Sequence, residues 1–204
     1  MQIQLSNTGK RFNREWIFRG LTHTFIHGKT YAITGSNGSG KSTLLQVIAG
    51  ALMISEGTIC YTNQNDQAIA DAEAYQHISI AAPYLELIEE MTAREFLTFH
   101  QTFKPFIKPL TSVLAYVGLA DAADKQIRYY SSGMKQRLKL AQAFFANTTV
   151  LLLDEPTTNL DDKGIALYNT LVEEYTHNRL VVVCSNDKQE YDFCEMVIRM
   201  EFYK

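Results

Sequence analysis

Residues 35–42 read Gly35-Ser36-Asn37-Gly38-Ser39-Gly40-Lys41-Ser42. The spacing G-x-x-x-x-G-K-S/T is satisfied in full. TYAIT (30–34) precedes it and TLLQVIAG (43–50) follows it. The first predicts a strand and the second a helix stopped at Gly50. Glycines here let backbone N–H groups converge on phosphate oxygens with no Cβ in the way. The helix N-terminus adds the positive end of its dipole. Lys41 can then reach β- and γ-phosphates and Ser42 can ligate Mg²⁺. Thr43 joins the nucleotide-contacting set. A glycine-rich turn that binds nothing does not account for three glycines, a lysine and a serine at these spacings.

Outward from this loop the chain alternates strands and helices. IQL near the start, GTICY (57–61), HISIAA (77–82), TVLLLD (149–154), LVVVC (180–184) and MVIRMEF (196–202) read as strands. TNQNDQAIADAEAYQ (62–76) reads as a surface loop or short helix. TAREFLTFHQTFK (92–104) opens with a capping box, Thr92 with Glu95. Pro105 and Pro109 then break the chain. SGMKQRLKLAQAFF (132–145) is a helix with Met134, Leu138, Ala141 and Phe145 on one face. A later helix places Ile165, Tyr168, Val172 and Tyr175 together, and DKQEYDFCE (187–195) is a short helix. The pattern predicts an α/β fold with a mainly parallel sheet. The unbroken apolar run of TVLLLD predicts a sheet covered on both faces. Residues from about Pro83 to Tyr130 lack strong strands and read as a helical insert.

The strand Val150–Leu153 ends in Asp154 and Glu155. In P-loop folds such a strand end lies beside the phosphate loop. Asp154 would hold Mg²⁺, directly or through water. Glu155 would orient and polarise an attacking water as general base. Alone, two solvated carboxylates at a strand terminus would be a fair reading. Beside a phosphate loop it is the weaker one.

Composition sets the bounds. The 204 residues are 46 % hydrophobic, which fits one ordinary domain spanning 1–204. The net charge of −3 gives no reason to expect nucleic acid as a partner. Cys60, Cys184 and Cys194 have no metal-like spacing and read as reduced, partly buried thiols. The N-terminus carries no apolar signal region. No run approaches a membrane span. A soluble protein is expected, with any membrane-spanning segments on another chain.

Together these pieces resemble the nucleotide-binding subunit of ABC transporters, in the right order over essentially the whole chain. YSSGM (130–134) resembles the family's signature motif, usually written LSGGQ. The resemblance implies a head-to-tail dimer in which Ser131 and the Gly133 backbone grip the ATP bound by the other subunit. An ordinary serine N-cap is the plainer reading, and both can hold at once. Thr158-Asn159-Leu160-Asp161 resembles the D-loop, with Asp161 communicating across the interface. Phe12 sits where the family has an aromatic that stacks on adenine. Trp16 is the alternative, and a core role competes for both. The insert at about 83–130 is similar to the helical subdomain that touches the membrane partner.

The resemblance implies an ATPase using ATP and Mg²⁺, with a P-loop NTPase core, an N-terminal antiparallel β portion and the helical insert. Its partners would be a second ATPase subunit, expected as a homodimer with a heterodimer as alternative, and a separate transmembrane permease. The chain would sit peripherally on the cytoplasmic face of the membrane. Its short length resembles compact exporter-type subunits. A soluble ATP-dependent switch and a weakly hydrolysing ATP-binding module are the alternatives.

Three departures matter. The family's switch histidine is replaced by Asn186 in Ser185-Asn186-Asp187, which can donate a hydrogen bond but cannot become cationic. The glutamine expected at the end of HISIAA is absent; the chain reads Ala81-Ala82-Pro83. Ser132 and Met134 replace a glycine and a glutamine of the signature. Retention of Glu155 predicts slow but genuine hydrolysis. Lys135, Arg137 and Lys139 read as a solvated helix face with a role in steering ATP as the alternative. FLTFHQTFKPF (96–106) is either a docking surface or, for most of its rings, the insert's own core.

Overall fold

The computed structural model describes residues 1–204. The order is β1 (Gln2–Phe12), β2 (Glu15–Phe25), β3 (Thr30–Thr34), α1 (Lys41–Ile48), β4 (Glu56–Thr62), β5 (Ala68–Ile69), α2 (Asp71–Ala74) and β6 (Ile78–Ala81). There follow α3 (Ala93–Gln101), α4 (Leu110–Tyr116), α5 (Ser132–Phe145), β7 (Val150–Asp154), α6 (Asp162–Tyr175), β8 (Leu180–Cys184), α7 (Lys188–Tyr191) and β9 (Met196–Arg199). One sheet has the order β6-β7-β8-β3-β9, and each of its pairings is parallel. The other, β2-β1-β4-β5, is antiparallel.

Every residue of β7 and β8 is buried, as an apolar run in a twice-covered sheet requires. Alternate side chains serve different cores. Leu151, Leu153, Val181 and Val183 pack with Phe144, Leu138, Tyr168 and the insert. Val150, Leu152, Leu180 and Val182 face the other way, toward α1 and the antiparallel sheet through Leu44, Ile48, Phe18 and Phe25.

The alternating elements, the parallel sheet and the capping box are as expected. Thr92 Oγ1 accepts from Glu95 N–H, and Glu95 Oε2 accepts from Thr92 N–H. Three differences have physical reasons. β2 adds a strand to those expected; its alternation slips where Gly20 adopts φ +68° and its register with β1 shifts. MVIRMEF is a strand only to Arg199. A 3₁₀ turn at Met200–Tyr203 follows and buries Met200 under the phosphate loop. Third, the basic run on α5 is not a free solvated face. Lys135 pairs with Glu89, Arg137 Nη1 donates to Val117 O at 3.1 Å, and Lys139 Nζ donates to Pro83 O at 3.0 Å. These cations fasten α5 to the 83–130 segment. Within FLTFHQTFKPF the two readings divide: Phe96 and Leu97 are buried, whereas Phe99 and Phe103 are 48 % and 60 % exposed and pack edge to face.

Candidate functional site

The phosphate loop leaves β3 at the carboxyl edge of the parallel sheet, where ligands bind in open α/β folds. Gly40 caps α1 in a left-handed conformation, φ +98°. A Cβ there would stand 2.6 Å from Ile17 Cγ2, so only glycine fits. A Cβ on Gly35 would meet Ser39 Oγ at 2.6 Å. Lys41 Nζ donates to Gly35 O at 2.6 Å and is almost fully buried. Asn37, Gly38, Ser39, Gly40, Lys41, Ser42 and Thr43 line one cavity of about 390 Å³ with Ile17 and Glu155. Ile17 carries no local sequence signal for this role: its β-branched side chain packs on the loop because β2 delivers it there.

Asp154 ends β7, next to Cys184 in the register with β8. Burial pushes its carboxyl up to about 6; Ser42 opposes this with a hydrogen bond, Glu155 and Glu190 add to it, and Lys41 opposes it. Asp154 Oδ2 is buried with no partner, as is Ser39 Oγ. A desolvated carboxylate oxygen without a donor is what a cation would satisfy. No cluster of three or more His, Cys, Asp or Glu is present. The hard oxygen donors of Asp154 and Ser42 fit a divalent cation such as Mg²⁺.

Glu155 adopts φ +43°, uncommon for a side chain of this size, while its N–H donates to Cys184 O at 2.9 Å. The turn after it is held from two sides. Gln136 Nε2 on α5 donates to Pro156 O at 2.7 Å. The buried Glu190 carboxylate on α7 accepts from Thr157 N–H at 2.7 Å and from the Thr157 hydroxyl. Neither Gln136 nor Glu190 was legible as a site-supporting residue, since each acts through a contact distant in sequence.

Asn186 Oδ1 accepts from Gly35 N–H at 3.2 Å. A backbone N–H only donates, so the amide oxygen faces Gly35 and the NH₂ is left to donate elsewhere. Ser131 caps α5, its Oγ accepting from Met134 N–H at 3.2 Å. Gly133 abuts Asn159 O. Asp161 caps α6, Oδ1 accepting from Gly164 N–H at 2.9 Å. Ser131 and Asp161 lie outside the phosphate-loop cavity of their own chain. Phe12 is 48 % exposed near the hairpin tip, with Lys10 Nζ 4.9 Å from its ring centroid. Trp16 has Arg19 over its ring at 4.6 Å and Arg11 at 5.6 Å, which leaves Phe12 the freer ring.

Known proteins share this chain's sequence pattern and fold. The family model described as ABC transporter matches residues 18–158. An uncharacterized ABC transporter ATP-binding protein, YybJ of Bacillus subtilis (strain 168), is 29 % identical over 97 % of this chain and 92 % of its own length. The cytochrome c biogenesis ATP-binding export protein CcmA of Rhodopseudomonas palustris (strain HaA2) is 31 % identical over 90 % of this chain and 91 % of its own. The ATP-binding cassette MJ0796, solved as a dimer in a post-hydrolysis state bound to ADP and Pi, superposes with a TM-score of 0.80 at 24 % identity, covering 97 % of this chain and 93 % of that one. The chain belongs to the ABC transporter family and is similar to its ATP-binding proteins. None of its helices is long and apolar enough to cross a membrane.

Proposed function

We propose that the protein is the motor subunit of a membrane transporter, closing head-to-tail with a second copy around two ATP molecules and driving a separate transmembrane partner. One observation carries this reading. The phosphate-loop cavity is walled by Ile17, the loop and Glu155, with no residue of the 131–133 segment, although that segment is solvent-facing at the start of a 14-residue helix. A second copy could supply it, with Ser131 and Gly133 at the γ-phosphate and Asp161 across the interface. MJ0796, a solved relative of the fold, is a dimer.

Lys41 and the loop N–H groups bind the β- and γ-phosphates, and Phe12 stacks on adenine. Ser42 and Asp154 would hold Mg²⁺, which when bound would draw charge from the phosphates. Glu155 takes the proton from the attacking water. Asn186 donates its amide N–H to the γ-phosphate without titrating. Loss of a titrating imidazole at that position supports slow turnover. The cytoplasmic face of a membrane is the proposed location. The exposed Phe99–Phe103 pair supports docking of the transmembrane partner on the 83–130 segment, read as a helical subdomain within one ATPase domain.

The test is ATP turnover with Mg²⁺, wild type beside Glu155→Gln, with sedimentation in the same buffers. The expected result is slow wild-type hydrolysis, an inactive variant, and an ATP-dependent dimer of that variant. A variant that hydrolyses like wild type, or stays monomeric with ATP, overturns the reading.

A further inference from the structure

The strands β8, β3 and β9 lie side by side and parallel, with β3 in the middle. Thr34, the last residue of β3, is in register with Arg199, the last of β9. The phosphate loop therefore leaves the sheet between two segments, one carrying Asn186 and the other Arg199. Gly35, Ser36, Asn186 and Arg199 together line one cavity of about 510 Å³. Lys41 Nζ, the ammonium read above as meeting the terminal phosphates, donates to Gly35 O at 2.6 Å and to Ser36 O at 3.4 Å. It rests on the same two residues that wall this cavity.

Strand alternation sets the direction of Arg199. Ile198 before it and Met200 after it are buried in the core that faces α1. Arg199 falls on the opposite side and is exposed. Its guanidinium makes no ion pair within the chain. Glu201 lines the same cavity but is exposed, so water and salt screen its charge. Asn186 spends its amide oxygen on Gly35 N–H and offers only a neutral donor. Arg199 is thus the single cation among the residues lining this cavity. A guanidinium stays charged at any working pH and can give two parallel N–H bonds to phosphate oxygens.

We propose that Arg199 is a further substrate-contacting residue of the ATP site, its guanidinium bonding γ-phosphate oxygens beside Gly35 and supplying the positive charge that Asn186 lacks. The proposal rests on the ATPase reading above and adds a residue to it. Removing one charge-assisted hydrogen bond typically weakens binding by about 10- to 100-fold.

The experiment measures ATP and ADP affinities of the full chain in EDTA by titration calorimetry, as wild type, Arg199→Gln and Arg199→Lys, with sedimentation at the same protein concentrations. ADP lacks the γ-phosphate and serves as the control. Arg199→Gln should weaken ATP binding by about 10-fold or more while ADP binding stays within about twofold. Arg199→Lys, which keeps the charge but not the planar fork, should fall between wild type and Arg199→Gln. Equal ATP affinity in wild type and Arg199→Gln overturns the proposal. So does an equal loss for ADP, which marks a general attraction for anions or a packing role, or an Arg199→Lys variant no tighter than Arg199→Gln. A loss confined to concentrations at which the protein sediments as a dimer also overturns it, since the guanidinium then meets a second copy. A wild type that binds neither nucleotide overturns the ATPase reading itself, and this inference with it.

Discussion

Gly35 N–H donates to Asn186 Oδ1 at 3.2 Å, so the first residue of the phosphate loop is tied to the segment after β8. The bond uses the amide oxygen and frees the amide nitrogen. A neutral side chain is thereby held in one orientation by a partner that cannot reverse it.

Asn186→Leu removes both the acceptor for Gly35 and the free donor. Turnover is expected to fall about 100-fold, the scale of losing one preorganised donor to developing charge. Asn186→His should instead gain a pH limb absent from wild type, with turnover rising as the imidazole becomes cationic below about pH 6.5. Steady-state hydrolysis between pH 5.5 and 8 checks both, and a pH profile unchanged by the histidine removes the side chain from the γ-phosphate.

Asp154 is held at about 6, above the ordinary 3.8, mainly by burial. The folded state therefore binds this proton more tightly than the unfolded chain. Its favourable contribution is complete below pH 3.8 and is lost as pH rises through about 6. At neutral pH the buried charge costs about 1–3 kcal/mol. Asp154→Asn should then raise the nucleotide-free melting temperature at pH 7 by roughly 2–8 °C, with little change at pH 4. It should abolish Mn²⁺-dependent ATP binding as well. Thermal denaturation at the two pH values decides it; an equal shift at both would deny the electrostatic origin.

Glu190 accepts from both the N–H and the hydroxyl of Thr157. Glu190→Gln keeps an acceptor oxygen and should be close to neutral. Glu190→Ala strands a part-buried N–H and hydroxyl of Thr157 and should cost about 1–2 kcal/mol. Urea unfolding of the pair separates acceptor function from charge, since a requirement for charge would make the two variants equally unstable.

Thr92→Ala removes one half of the capping box at α3. A loss of about 1 kcal/mol is expected, with turnover unchanged. Chemical denaturation beside an ATPase assay tests whether α3 is coupled to the site by more than its own stability.

Local pattern carried much of this molecule. Glycine spacing marked the phosphate loop, Thr92 and Glu95 marked a helix start, and the apolar run before Asp154 marked a covered strand. Each signal lies within a few residues, where backbone conformation and burial periodicity act directly. β2 was less legible because Gly20 breaks its alternation, and Met200 because burial under the phosphate loop ends the strand early. Lys135, Arg137 and Lys139 looked like a solvated face, since nothing nearby in sequence names Glu89, Val117 or Pro83 as their acceptors.

The sequence by itself determined the phosphate loop, the acidic pair, the alternation of elements and the absence of a histidine at 186. Only the tertiary structure decided which distant groups meet. It set Ile17 against Gly40, Glu190 beneath Thr157, and Asn186 on Gly35. The reason is physical. Spacing along a chain constrains local geometry, whereas contacts across a sheet depend on the register between strands and on burial of both its faces.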